Sequence, residues 1–244
     1  MFKNKYIYFL PAILILSIIL GKYLGEDTLG GAKADYLFHK KFFFLFLNDF
    51  KSTIINYGSN ELFARNSPLF YIIFSFFLNL GISLKILEFC NFIVVLGLLI
   101  VFFKCLKIQY KNINFSDQII FTSIILLSPT IRSLTIWPYP FIWALLFFLI
   151  SIYFFLKFTH TKNKDYKFRY AILNIVFVAI SGYITPNFSI FAIFYFINYF
   201  TYFKLTKKLF VLFILNLFLS ISAFYYFFIT DFYFLNYNVY EIDF

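Results

Sequence analysis

Continuous apolar runs of helix length dominate this chain. They cover about 6–24, 69–80, 86–103, 118–130, 139–157, 170–183, 188–203 and 209–229. An α-helix needs about 20 apolar residues, with a range of 17–25, to cross a bilayer. The runs do not alternate with period two, which excludes a transmembrane β-barrel. They predict an all-α polytopic membrane bundle. Of the 244 residues, 62% are hydrophobic and only 13% charged. A soluble domain averages about 45–50% apolar and 25% charged, so the composition excludes a cytosolic enzyme, a secreted disulfide scaffold and a disordered chain. The 42 Phe and 20 Tyr substitute for Leu against lipid and do not mark a binding surface.

The formal net charge of +10 is topology information, because Lys and Arg gather on the cytoplasmic side; no nucleic-acid partner is implied. If all eight runs crossed, Lys104, Lys107, Lys111, Lys157, Lys162, Lys164, Lys167, Arg169, Lys204, Lys207 and Lys208 would lie outside in short loops. The run 69–80 is too short to cross and is broken at Asn79-Leu80-Gly81. If it does not cross, all eleven positive charges join Lys3 and Lys5 inside. The prediction is therefore about seven spans, an N-terminus inside, and Asp231, Glu241 and Asp243 outside. Tyr6–Leu20 lacks a small-residue cleavage site and reads as a retained anchor, not a signal peptide. Residues 1–244 read as one membrane domain. Residues 25–85 form a large outer loop in which Ala34–Phe50 makes a helix lying on the membrane, its polar side carrying Asp35, His39, Lys40, Lys41 and Asp49. A short helix then starts after Asn66-Ser67-Pro68, capped by Asn66 or Ser67. Cys90 and Cys105 are too far apart on one helix to bridge, and no metal-ligand spacing is present.

Two outer segments could carry chemistry. After Gly30-Gly31, Asp35 stands near a helix start with His39 four residues on, on one helix face. A carboxylate there can act as general base towards a hydroxyl, or it can simply cap the helix. Glu26 and Asp27 are a second acidic pair, or a solvated loop pair. Leu127-Ser128-Pro129 is followed by Arg132, the one positive charge in its outer loop. Its fork suits a phosphate or carboxylate, unless it snorkels to headgroups. Trp137 suits an interface anchor. Thr185-Pro186-Asn187 makes a third outer turn. Asn91, Asn174, Asn198 and Asn216 suit helix–helix hydrogen bonds.

Together these features resemble the GT-C superfamily of integral-membrane glycosyltransferases, and within it the family of protein O-mannosyltransferases and aminoarabinose lipid A transferases. In that family a first span is followed by a long outer loop with juxtamembrane helices and an acidic catalytic residue near its start. Asn66-Ser67-Pro68-Leu69-Phe70-Tyr71 loosely resembles the family's His-Pro-Pro-Leu-Tyr-Tyr segment, and Leu127-Ser128-Pro129 with Arg132 resembles its Leu-Ser-Pro segment with a following Arg. The seven-span module of the superfamily agrees with the charge-based count. The family's paired loop acids are here a single Asp35, and a second outer Asp after the Arg segment is missing. A Lys before the sixth span is absent too, so the chain resembles a minimal or truncated member.

The resemblance implies a cell-envelope enzyme in a bacterial inner membrane. It would transfer a sugar from a polyprenyl-phosphate donor to a lipid or glycan acceptor on the outer face, using no cofactor. Asp35 would be catalytic; His39, Arg132, Asn66 and Trp137 would bind substrate, with Arg132 on the donor phosphate. The enzyme reading expects Asp35 and Arg132 on one outward-open cavity. The alternative is a non-enzymatic polytopic protein, a lipid-linked-sugar flippase component or a transporter. Such a protein would show intramembrane ionisable groups or interrupted helices.

Overall fold

The computed structural model describes residues 5–57 and 66–228, and in the last helix side chains up to Ile221. Lys3, Asp231, Glu241 and Asp243, counted above, lie outside the described residues. All regular structure among the described residues is helical. The helices are α1 (Leu10–Tyr23), α2 (Ala32–Asn48), α3 (Phe50–Asn56), α4 (Leu69–Asn79), α5 (Leu84–Gln109), α6 (Phe115–Ile124), α7 (Pro129–Ile136), α8 (Pro140–His160), α9 (Lys164–Ile184), α10 (Phe191–Phe203) and α11 (Lys207–Phe228).

Three helices, α5, α8 and α9, are long and apolar enough to cross a membrane; α6 and α7 make a fourth if taken together. That is fewer than the seven expected. The shortfall has local causes. Helix α1 has 14 residues because its first turn, Lys5–Phe9, is wound as a 3-10 helix. Helix α10 has 13 residues because the chain uses Pro186–Phe188 as a separate 3-10 turn. The α6–α7 pair is bent by 69°. Pro129 lacks an N–H and forces Ser128 into extended backbone (ψ 123°), so the helix stops and restarts.

Helix α9 begins six residues before the expected run. Asn163 caps it, accepting from the Asp165 and Tyr166 N–H groups at 2.9 and 3.2 Å, which draws the charged stretch 164–169 into the helix. Helix α4 ends where the break was expected, at a turn through Gly81 with φ +82°. Its 11 residues rise about 17 Å, half a hydrocarbon core. Neither Asn66 nor Ser67 caps it: the cap position is Pro68, without a side-chain bond. Ser67 instead donates to the Gly182 carbonyl on α9 at 3.4 Å.

In lipid, helices associate through close packing and hydrogen bonds rather than through the hydrophobic effect. The α5–α8–α9 centre is built that way. Ala144, Ser151, Ala171 and Ser181 are wholly buried, so the backbones approach closely. Ser181 donates to the Ala144 carbonyl at 2.7 Å. Asn174 donates to the Ser151 carbonyl at 2.8 Å and accepts from the Tyr199 hydroxyl at 2.7 Å, joining α8, α9 and α10. Asn91 donates to the Leu134 and Thr135 carbonyls and accepts from the Trp143 indole. Asn198 differs from expectation, bonding the Phe194 carbonyl of its own helix.

Two contacts order the ends of the bundle. Lys22 at the end of α1 lies 3.5 Å from Glu88 at the start of α5, so the chain returns after 25–85 to the end it left. At the opposite end Lys208 meets Asp165 at 2.8 Å, Lys167 lies 4.0 Å over the Tyr202 ring, and Lys111 and His160 line one hollow. The lysine-rich loops 104–113, 157–169 and 204–208 therefore share one end.

Candidate functional site

The site builds up from the turn that leaves α1. Gly30, at φ +71°, reverses the chain into α2 where an L side chain would be strained. Asp27 closes this turn, accepting from the Ala32 and Lys33 N–H groups at 3.2 and 3.1 Å. Partial burial opposes its charge, but the N–H groups of Lys33, Ala32, Gly31 and Gly30 outweigh that and hold the carboxyl below its usual range. Asp27, not Asp35, thus caps α2.

Glu26 turns the other way, to α7. Arg132 grips it as a fork, Nε to Oε1 at 2.8 Å and Nη2 to Oε2 at 2.7 Å, while Nη1 donates to the Ser17 hydroxyl on α1 at 2.8 Å. This bond holds the Glu26 carboxyl below the ordinary range. Gly21 makes room, since a Cβ there would stand 2.1 Å from Glu26 Oε2. The Trp137 indole donates to the Glu26 carbonyl at 2.9 Å, and Lys33 lies 5.5 Å over the Trp137 ring. Beside the fork, Thr28 and Ser133 share a hydrogen bond of 2.7 Å, and the Leu29 N–H donates to Ser133 at 3.0 Å. The first outer turn is bolted to α7 by ionic and neutral bonds side by side. Arg132 is therefore paired with Glu26 and Ser17 rather than extended alone to headgroups, and Glu26 and Asp27 are each held by hydrogen bonds rather than standing as a solvated pair.

Asp35 is exposed, and among the described residues its carboxylate has no hydrogen-bond or ion-pair partner. Its neighbour Tyr36 points inward and donates to Glu88 at 2.6 Å. Burial first, then the Glu88 charge, pushes the Tyr36 hydroxyl pKa up, so it serves as a donor.

His39 corrects the sequence reading. It was placed on the polar side of an amphipathic helix but is 4% exposed, in the stripe Ala32, Tyr36, His39, Phe43 and Phe46 that α2 turns inward. Its Nδ1 lies 2.7 Å from the Tyr71 hydroxyl, and its ring 4.7 Å from Tyr139. Phe38 and Phe44, on other faces of α2, are exposed. Burial pushes the His39 imidazole down to about 4 from 6.5. An unfolded chain takes up this proton below pH 6.5 while the folded one stays neutral, so stability falls from pH 6.5 towards about 4. Thermal unfolding should show a loss of stability between pH 6.5 and 5 that His39→Gln lacks; equal slopes for both proteins would place His39 in contact with water.

Asn66 is buried as well, at 6% exposure. Its carbonyl accepts from Tyr57 at 2.5 Å and its side-chain oxygen from Thr185 at 3.4 Å. The third outer turn thus meets the loop at Asn66. His39 and Asn66 support the loop from beneath.

A groove of about 510 Å³ runs along α1 and α5 from this cluster. Ile15, Ile19 and Phe92 are among its walls, and Lys22, Lys85 and Glu88 line the end nearest the loop 25–85. Neither Asp35 nor Arg132 lines it, so it is not the shared cavity expected of them. Sequence reasoning missed Lys22, Lys85, Ser17 and Ser133. Compared with protein-family models, curated proteins and solved structures, the chain matches none.

Proposed function

We propose that this protein is a membrane-embedded glycosyltransferase of a bacterial inner membrane. It would move a sugar from a polyprenyl-phosphate donor to an acceptor on the outer face. The observation that carries this reading is the α1–α5 groove, apolar along its length and ending in two lysines and a carboxylate. An amphiphile with an anionic head fits it: the tail lies on the apolar walls, and Lys22 and Lys85 take the phosphate. Glu88 holds Lys22 in place and binds Tyr36, next to Asp35 in sequence. In the transfer step the acceptor oxygen attacks the anomeric carbon and the carbon–oxygen bond to the phosphate breaks. The carrier leaves with the phosphate, and Asp35 takes the hydroxyl proton. Arg132 acts as a positioning residue that holds the Glu26–Gly31 turn, and with it Asp35, at the outer end. Seven crossings fit this reading: α1, α5, the α6–α7 pair and α8 to α11, with the N-terminus in the cytoplasm.

A second reading keeps the groove and drops the chemistry. The 69° bend between α6 and α7 resembles the broken helices of transporters, and a lipid-linked-sugar flippase would use the same groove. An assay with purified protein and polyprenyl-phosphate sugars separates the two. Transfer should occur, and Lys22→Gln with Lys85→Gln should raise the donor KM roughly tenfold or more, the scale for losing a charge-assisted bond. No transfer, with the labelled lipid moved between vesicle leaflets, would establish the second reading.

A further inference from the structure

A second groove, at the lysine-rich end, is separate from the outer site. It lies between α10 and α11 and holds about 530 Å³. Phe196 and Phe200 on α10 and Phe210 and Phe213 on α11 form its walls, and Thr206 and Lys207 its end. Phe200, Phe210 and Phe213 are about half exposed or more. Such a surface suits an acyl chain, since a helix pair in a bilayer meets lipid wherever it does not meet protein.

The charges at its end select among lipids. Lys208 is paired with Asp165 and Lys167 is stacked over Tyr202. Lys204 and Lys207 are exposed and, among the described residues, have no acidic partner. Lys204 joins the two helices at φ +49° and ψ −153°, a conformation that L side chains rarely adopt. Thr206, between the lysines, is exposed as well. The Lys207 ammonium and the Thr206 hydroxyl thus stand at the end of an apolar groove, with Lys204 one residue before the lining Leu205, at the end of the bundle where α8 stops and α9 starts.

We propose that this groove is a site for one anionic phospholipid. One acyl chain lies between the Phe residues of α10 and α11, and the phosphate sits between Lys204 and Lys207. The proposal rests on the membrane character of the chain, not on the transferase reading.

The test is native mass spectrometry of the full chain, delipidated in detergent and then offered phosphatidylglycerol or phosphatidylcholine with identical chains. Phosphatidylglycerol should be retained preferentially as one bound molecule per chain. Lys204→Gln with Lys207→Gln should reduce that preference on the order of 10- to 30-fold, from the usual attraction of a lysine to an anionic headgroup. Lys107→Gln with Lys111→Gln, which removes the same charge elsewhere on this end, should leave it within about twofold. Both pairs are exposed, and unfolding temperatures in detergent alone will confirm intact folds. Equal retention of the two lipids overturns the proposal. So does equal loss from the two lysine pairs, which would mean diffuse attraction. Inorganic phosphate displacing the lipid's preference would place the site on the phosphate alone, and a dimer excluding lipid would assign the groove to a second copy; either result also overturns it.

Discussion

Arg132→Ala is expected to destabilise the protein by about 2–4 kcal/mol, the usual scale for removing one partner of a largely buried charged pair. The Arg132 and Glu26 side chains are 17% and 24% exposed. The substitution leaves the Glu26 carboxylate facing Gly21 and Ile136 with its fork gone, and deprives Ser17 of a donor. A Glu26→Gln protein keeps the shape and one acceptor, so it should lose less. The double variant should lose less than the two singles added together, because both break the same contact. Donor affinity separates this role from a phosphate ligand. If Arg132 positions the turn, Arg132→Ala lowers unfolding temperature and turnover while the donor dissociation constant moves by less than about threefold. If Arg132 holds the phosphate, donor binding weakens by roughly 10- to 150-fold at unchanged stability, and the position must be reassigned.

The same pair marks the limit of what one sequence discloses. The helical membrane class was legible because an apolar run of span length has no other stable use. The common end of the lysine loops was legible because charge distribution records topology. The partner of Arg132 was not, since Glu26 lies 106 residues away and nothing local requires the two to meet. His39 was misplaced for another reason. The inward stripe of α2 is spaced 4, 3, 4, 3, but Phe residues occupy the other faces too, so apolar periodicity is blurred and a histidine reads as polar. The short spans failed at their ends, where Lys5–Phe9 ahead of α1 and Pro186–Phe188 ahead of α10 wind as 3-10 turns rather than as continuous α-helix. That Tyr36 and Lys22 share Glu88 at the start of α5 is likewise visible only in the fold.

Asp35→Asn is expected to lower transfer by roughly 100-fold or more, the usual scale for loss of a general base, with unfolding temperature and donor affinity unchanged. The structure sharpens this test by removing the competing role. A helix-capping Asp35 would couple any loss of activity to a loss of fold, but the first N–H groups of α2 are bound by Asp27. Asp35 stands exposed one residue before Tyr36, the residue that ties α2 to the groove through Glu88. Asparagine keeps its size and cannot take a proton. Asp27→Asn should behave in the opposite way. It weakens a cap, costing about 1 kcal/mol, and turnover per folded molecule should stay within a few-fold. The two variants therefore form a crossed pair, one affecting rate and the other stability, measured by transfer assay and thermal unfolding on the same preparations. Full turnover in Asp35→Asn would remove the residue from catalysis. Greater rate loss in Asp27→Asn, at matched folded fraction, would move the base to the end of the first helix, eight residues closer to the groove in sequence.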